Sequence, residues 1–190
     1  MALFTESEVR AKAKAGVSFN ESATTVLNKR AISQILVDKH DIFLSHAFVD
    51  KEIVLGAALM IEDLGYSVYI DWRDDPSLDR SKVTEATAGR LKIRMKSCRC
   101  LLYSTTSNAS DSKWMPWELG YMDGYKSKAA ILPIAQYSTD NYQGQEYLGI
   151  YPYVDVANDN TQNKRLWVRK SPTIYVNFDS WLTGSEPIKR

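Results

Sequence analysis

The sequence predicts an open, doubly wound α/β fold, with a mainly parallel, five-stranded sheet and helices on both faces. Three observations predict it. His40 to Ser45 (HDIFLS) is a short, continuous run of the kind that a strand buried on both faces of a parallel sheet requires. The next residues carry a helical apolar stripe that stops at Gly65, and Tyr66 to Asp71 (YSVYID) is again strand-like, so the two runs frame a βαβ unit. The alternation then recurs through Cys98 to Tyr103 (CRCLLY) and Ala129 to Ala135 (AAILPIA), each preceded by helical spacing.

Thr5 to Ala15 predicts a charged, Ala-rich helix ended by Gly16. Asn20 or Ser22 then caps a second helical run carrying Val26, Ile32, Ile35 and Leu36, so residues 1–39 are expected to form an N-terminal helical extension. The main domain is expected over 40–156. Asp50 caps its first helix, in which Ile53, Val54, Ala57, Ala58, Ile61 and Leu64 make one stripe. Trp72 to Arg80 (WRDDPSLDR) is a polar loop containing Pro76. Ser81 to Ser97 is a helix with Thr84, Ala88, Leu91 and Met95 on one side, and Ser104 to Asp111 is a Ser/Asn-rich loop. Tyr137 to Gly149 is a loop, and Ile150 to Val156 a fifth strand that Pro152 places at an edge. Residues 157–190 are expected as a C-terminal extension packing on the domain. They hold a turn-rich break, two β-like runs at Leu166–Val168 and Thr173–Val176, and a final helical turn from Asn177 to Leu182.

Composition narrows the function classes. The 190 residues are 44% hydrophobic and 25% charged, as in an ordinary globular protein. Basic and acidic residues number 24 and 23, interspersed, so no basic footprint points to nucleic acid or an anionic membrane. Two cysteines, Cys98 and Cys100, lie two apart in one strand, pointing the same way and too constrained for an ordinary disulfide; reduced thiols in a cytoplasmic protein are expected. With His40 and His46 the only histidines, metal-ligand spacing is absent, and no metal is expected. No apolar run reaches the roughly 20 residues of a membrane helix, and the first residues lead straight into Glu6, Glu8 and Arg10, unlike a signal peptide.

The chemistry-bearing stretch is Ser112 to Tyr121 (SKWMPWELGY). Ser110 or Ser112 can cap a helix there, and Pro116 falls in its first turn, where a missing N–H costs little. Trp114 and Glu118 are then four apart on one face, a carboxylate beside an aromatic wall. A Trp-rich core helix with a solvated glutamate fits the same residues. In doubly wound sheets ligands bind beyond the carboxyl ends of the strands, near the switch in strand order. That rule gathers Ser45-His46, Asp71-Trp72 and the loop from Ser104 onto one rim. SHAFVDK follows the first strand where a Gly-rich phosphate loop would stand, against a Rossmann dehydrogenase or a P-loop enzyme.

Asp41-Ile42-Phe43-Leu44-Ser45-His46 resembles the opening strand of a Toll/interleukin receptor (TIR) domain, Tyr69-Ile70-Asp71 its second strand, and Trp72 to Arg80 its variable BB loop. Ser112 to Glu118 is similar to the helix whose Trp-x-x-x-Glu pattern marks the NAD-cleaving members. The resemblance covers about Asp41 to Pro152 and is to bacterial TIR proteins of antiviral defence rather than to receptor tails. It implies a flavodoxin-like TIR fold with Asp41–Ser45 central. It makes Glu118 the catalytic residue and Trp114 a pocket residue linked to cyclic products. Asp71 and His46 become pocket residues too, the latter where many relatives carry arginine. With Ser45, Trp72 and Arg80, these form the expected substrate-binding set. NAD is then the substrate, no separate cofactor is expected, and the partners implied are other TIR domains and a downstream effector sensing the product.

Such a site would cleave the nicotinamide–ribose bond through an oxocarbenium-like state. One carboxylate near the ribose can stabilise the developing charge, and nicotinamide leaves as a neutral base without a general acid. If Trp114 stacks on a ring and folds adenine over the ribose, an adenine nitrogen can attack in place of water and give a cyclic product. Other readings fit single residues. His46 can cap a helix, Asp71 can fix the loop after it, Trp117 and Tyr121 can pack in the core or against another subunit, and Arg73 and Arg80 can either meet phosphates or stay solvated. A non-enzymatic TIR adaptor and a nucleoside deoxyribosyltransferase-like enzyme are the alternative functions.

Overall fold

The computed structural model describes residues 2–18, 39–78, 80, 81, 83–106, 112–137, 142 and 146–189. The elements run β1 (Phe4–Thr5), α1 (Glu6–Ser18), β2 (His40–Ser45), α2 (Lys51–Glu62), β3 (Val68–Tyr69), α3 (Asp71–Asp74), α4 (Glu85–Ser97) and β4 (Cys98–Thr105). They continue with α5 (Trp114–Lys126), β5 (Ala129–Ala135), β6 (Tyr153–Asn158), β7 (Lys164–Ser171), β8 (Ile174–Asn177), α6 (Phe178–Leu182) and β9 (Ile188–Lys189). The fold is α/β around one mixed, mostly parallel sheet in the order β3-β2-β4-β5-β6-β7-β8-β9, with β1 pairing β5 off this path.

From β3 to β6 every pairing is parallel, and β2 lies inside the sheet between β3 and β4. Counted from β2 this is the order 2-1-3-4-5, whose switch falls between β2 and β4. Alternation along the strands builds two cores. Ile42, Leu44, Cys100 and Leu102 pack with Val9 of α1, with Ile53, Val54, Ala57 and Ile61 of α2, and with Phe178 and Trp181 of α6. Phe43, Leu101 and Tyr103 pack on the other face with Leu91 and Met95 of α4 and with Met115, Leu119 and Met122 of α5. Cys98 and Cys100 are buried and unbridged but fall in different cores, because Cys98 is also the C-cap of α4.

Several expectations are corrected. The sheet has nine strands among the described residues rather than five, because β7, β8 and β9 continue it antiparallel beyond β6. β6 is therefore interior; Pro152 stands just before it and contributes only its carbonyl, which accepts from Ile131 N–H at 2.8 Å. Asp71 opens the single turn α3 instead of closing a strand. α4 begins at Glu85, where Thr84 caps it by accepting from Thr87 N–H at 3.1 Å. α1 runs through Gly16 to Ser18, since the glycine serves close packing: a Cβ there would lie 2.7 Å from Leu59 Cδ1 of α2. Of the expected N-terminal helical extension only α1 is described; the second run, from Asn20 to Leu36, lies outside the described residues.

Candidate active site

The switch between β2 and β4 sets the site. Both strands end in hydroxyl residues, Ser45 on β2 and Ser104-Thr105 on β4, and Ser104 Oγ donates to the Ser45 carbonyl at 2.9 Å. Their carboxyl ends face the start of α5, where Ser112 Oγ accepts from Met115 N–H at 3.3 Å. One turn into that helix, Glu118 points inward. Ser110, the other expected cap, lies outside the described residues.

Five side chains from four separate stretches of the sequence then connect into one buried chain. Ser45 Oγ donates to Glu118 Oε2 at 2.6 Å, and Arg80 Nη2 donates to Glu118 Oε1 at 2.6 Å. Arg80 Nη1 donates to Asp71 Oδ2 at 2.7 Å. Asp71 Oδ1 takes the Trp72 backbone N–H at 2.7 Å and lies 3.3 Å from His46 Nε2, while His46 Nδ1 is 2.8 Å from the Leu44 carbonyl. Both ring nitrogens of His46 thus face oxygen acceptors, and the ring serves both when it carries two protons. Trp114 joins through its indole N–H, which donates to the Arg80 carbonyl at 2.9 Å.

The two carboxylates sharing Arg80 are pushed in opposite directions. Burial works against ionisation of Asp71, yet the bond from His46 and the charges of His46 and Arg80 hold it well below the usual carboxylate range. Burial raises the Glu118 carboxyl above its ordinary value; the Arg80 charge and the Ser45 hydroxyl offset only part of this, and the Asp71 charge adds to it. Glu118 is also the more deeply enclosed of the two.

A cavity of about 690 Å³ opens beside this chain, lined by His46, Asp71, Trp72, Arg80 and Trp114 among others. Five of the seven expected site residues therefore line it, and the other two do not. Glu118 and Ser45 are each 0% exposed and lie behind Arg80. Trp114 is itself largely buried, edge-on to Trp117 at 5.4 Å. Arg73 is not at the cavity; it pairs with Glu62 at 2.8 Å and with Asp74 at 3.0 Å, as a staple behind β3. Pro76, Leu78 and Val83 form an apolar wall that sequence reasoning missed, because isolated apolar residues in a charged loop carry no periodic signal. Ser104, where the expected third rim segment begins, stands near the end of β4 and bonds Ser45 rather than lining the cavity. Among the described residues no cluster of histidine, cysteine, aspartate or glutamate could hold a metal ion, and no helix is long and apolar enough to cross a membrane.

No protein-family model matches the chain. It is 44% identical over 190 residues to the protein of Bacillus cereus (strain MSX-D12) named "Probable 3' cyclic ADP-D-ribose synthase ThsB'", covering 96% of this chain and 98% of that one. It is also 31% identical over 83 residues to the protein of Cytobacillus dafuensis named "Putative cyclic ADP-D-ribose synthase TIR2", covering 43% of this chain and 22% of that one. A carboxylate helix with Trp-x-x-x-Glu at the switch of a mostly parallel sheet, in a chain related to ThsB' along nearly its whole length, gives the assignment: the protein belongs to the bacterial TIR family of cyclic ADP-ribose synthases.

Proposed function

We propose that this protein is a TIR NAD nucleosidase and cyclase. It cleaves the nicotinamide–ribose bond of NAD and releases ADP-ribose or a cyclic isomer as a signal in antiphage defence. The observation that carries the reading is Glu118, held by Ser45 at the switch crevice and one turn from Trp114 beside a cavity of about 690 Å³. Glu118 is the catalytic carboxylate, bonding the ribose hydroxyls and stabilising the oxocarbenium-like state. Trp114 and Trp72 wall the substrate, His46 and Asp71 contact it, and Arg80 meets its phosphates.

The relative's name supports one product. Primed locants number ribose carbons, so ring closure would fall on a ribose 3′ oxygen rather than on the adenine nitrogen that ring stacking alone suggested. The C1–nicotinamide bond breaks with its electron pair going to the leaving pyridine. The 3′ oxygen then bonds to C1, and its proton passes to the Glu118 carboxylate or to water. Incubating the purified protein with NAD and with a deoxynucleoside, then separating released base and products, tests this. Nicotinamide with a cyclic product supports it. Release of base from the deoxynucleoside alone would mean a transferase.

The burial of Glu118 favours a second reading, a TIR adaptor without turnover, and intact NAD in that assay would establish it. Self-association belongs to the first reading: other copies, or movement of the loop after Trp72, would open the site. Specific activity is then expected to rise with protein concentration across a dilution series, in step with the oligomer seen by light scattering. A constant value with a monomer throughout would count against it.

A further inference from the structure

Glu118 is fully buried, and Arg80 lies between it and the cavity. Three ties hold Arg80 there: Nη2 to Glu118, Nη1 to Asp71, and its own carbonyl to the indole N–H of Trp114. The one arginine lining the cavity among its described residues is thus engaged on the carboxylate that the chemistry requires. This arrangement opposes catalysis in two ways. It denies the ribose access to Glu118, and it keeps a guanidinium next to the point where positive charge develops. It also has a natural competitor. A pyrophosphate offers a guanidinium two parallel, charge-assisted bonds, whereas Glu118 offers Arg80 a single oxygen. Asp71 need not let go, since it holds the other guanidinium nitrogen and itself lines the cavity.

Resting on the NAD-cleaving reading, we propose that Arg80 is a substrate-exchanged latch. The pyrophosphate of the dinucleotide draws the guanidinium off Glu118, so that binding of the remote phosphates uncovers the carboxylate that acts on the ribose. Binding energy from a part of the substrate that does not react is then spent on exposing the catalytic group. Nicotinamide ribosides that lack the pyrophosphate leave the latch closed and go uncleaved.

The test supplies the substrate in pieces. Wild-type protein is given NAD, then nicotinamide riboside alone, then nicotinamide riboside with inorganic pyrophosphate, and released nicotinamide is measured. The latch predicts that kcat/KM for the riboside is at least about 100-fold below that for NAD, and that millimolar pyrophosphate raises riboside cleavage about tenfold or more. Pyrophosphate that leaves riboside cleavage unchanged, or inhibits it, while NAD is turned over, overturns the proposal. Arg80→Gln is expected to cleave the riboside faster than wild type, to lose the pyrophosphate response, and to cleave NAD more slowly. Unchanged riboside cleavage in Arg80→Gln would make Arg80 a phosphate ligand only, and an equal fall for both substrates would make it a support for Glu118; either outcome overturns the latch. The wild-type arm stands even if the variant does not fold. A wild type that leaves NAD intact would instead remove the functional reading itself.

Discussion

At the scale of single residues, Glu118 gives the sharpest expectation. Glu118→Gln keeps the shape and removes the charge, so nicotinamide release should fall by roughly two to three orders of magnitude, the usual effect of losing one preorganised electrostatic group. Because burial already opposes the ionisation of Glu118, a neutral isostere there should not lower the melting temperature at neutral pH, Asp71 remaining as the enclosed anion of Arg80. Nicotinamide assay and thermal melting on one preparation check both. Trp114 should behave differently. Trp114→Ala removes a largely buried indole and should cost on the order of 3 kcal/mol of stability, and it should lower the cyclic-to-linear product ratio by removing the ring that folds the substrate. Trp114→Phe keeps a ring and should keep that ratio. The ratio is read by chromatography at matched folded protein; an unchanged ratio in Trp114→Ala would leave Trp114 a packing residue.

At the scale of elements, α1 crosses α2 at a close backbone approach. A Cβ on Gly56 would lie 1.7 Å from the Val9 carbonyl oxygen and 2.9 Å from its Cα, so the two backbones meet with no room for a side chain. Gly56→Ala must push α1 away, and overpacking of this kind costs about 1–3 kcal/mol. The gain in helix propensity, at most about 1 kcal/mol, does not offset it. The crossing lies on the sheet face away from α4 and α5, so NAD cleavage per folded molecule should be retained while the denaturation midpoint falls. A midpoint that rises would show that α1 is loosely held.

At the scale of the whole molecule, the buried chain from His46 to Glu118 ties stability to pH. The folded-state value of Asp71 is depressed, so its contribution is present above the unfolded value of about 4 and is lost as pH falls below it. The value of Glu118 is raised, so its contribution has the opposite sign: full below the unfolded value of about 4.3, and lost as pH rises through the folded one. Urea midpoints across the acid range should therefore fall steeply below pH 4 in the wild type. Asp71→Asn should flatten that acid limb, and Glu118→Gln should flatten the part above it. An acid limb that persists unchanged in Asp71→Asn would place the acid sensitivity elsewhere, with Asp41 and Asp159, among the described residues, the other carboxylates held below their ordinary range.

The sequence by itself determined the α/β class, the βαβ rhythm, and the positions of β2, β4, β5 and α5, because each is written in a local period or a local cap. It also placed Ser45, His46, Asp71, Trp72, Trp114 and Glu118 at one end of the sheet, since the ends of parallel strands share one side of a sheet by construction. Ser45 and Glu118, however, lie buried behind the rim rather than on it. Only the tertiary structure decided the rest. β6 became interior because β7 to β9 paired beyond it, and pairing between strands leaves no mark in either strand alone. Gly16 continued a helix because Leu59, far along the chain, stood against it. Above all, Arg80 closed over Glu118, for a charged residue in a loop reads as solvated until the fold brings Asp71 and Glu118 to either side of it and removes the water that would otherwise serve all three.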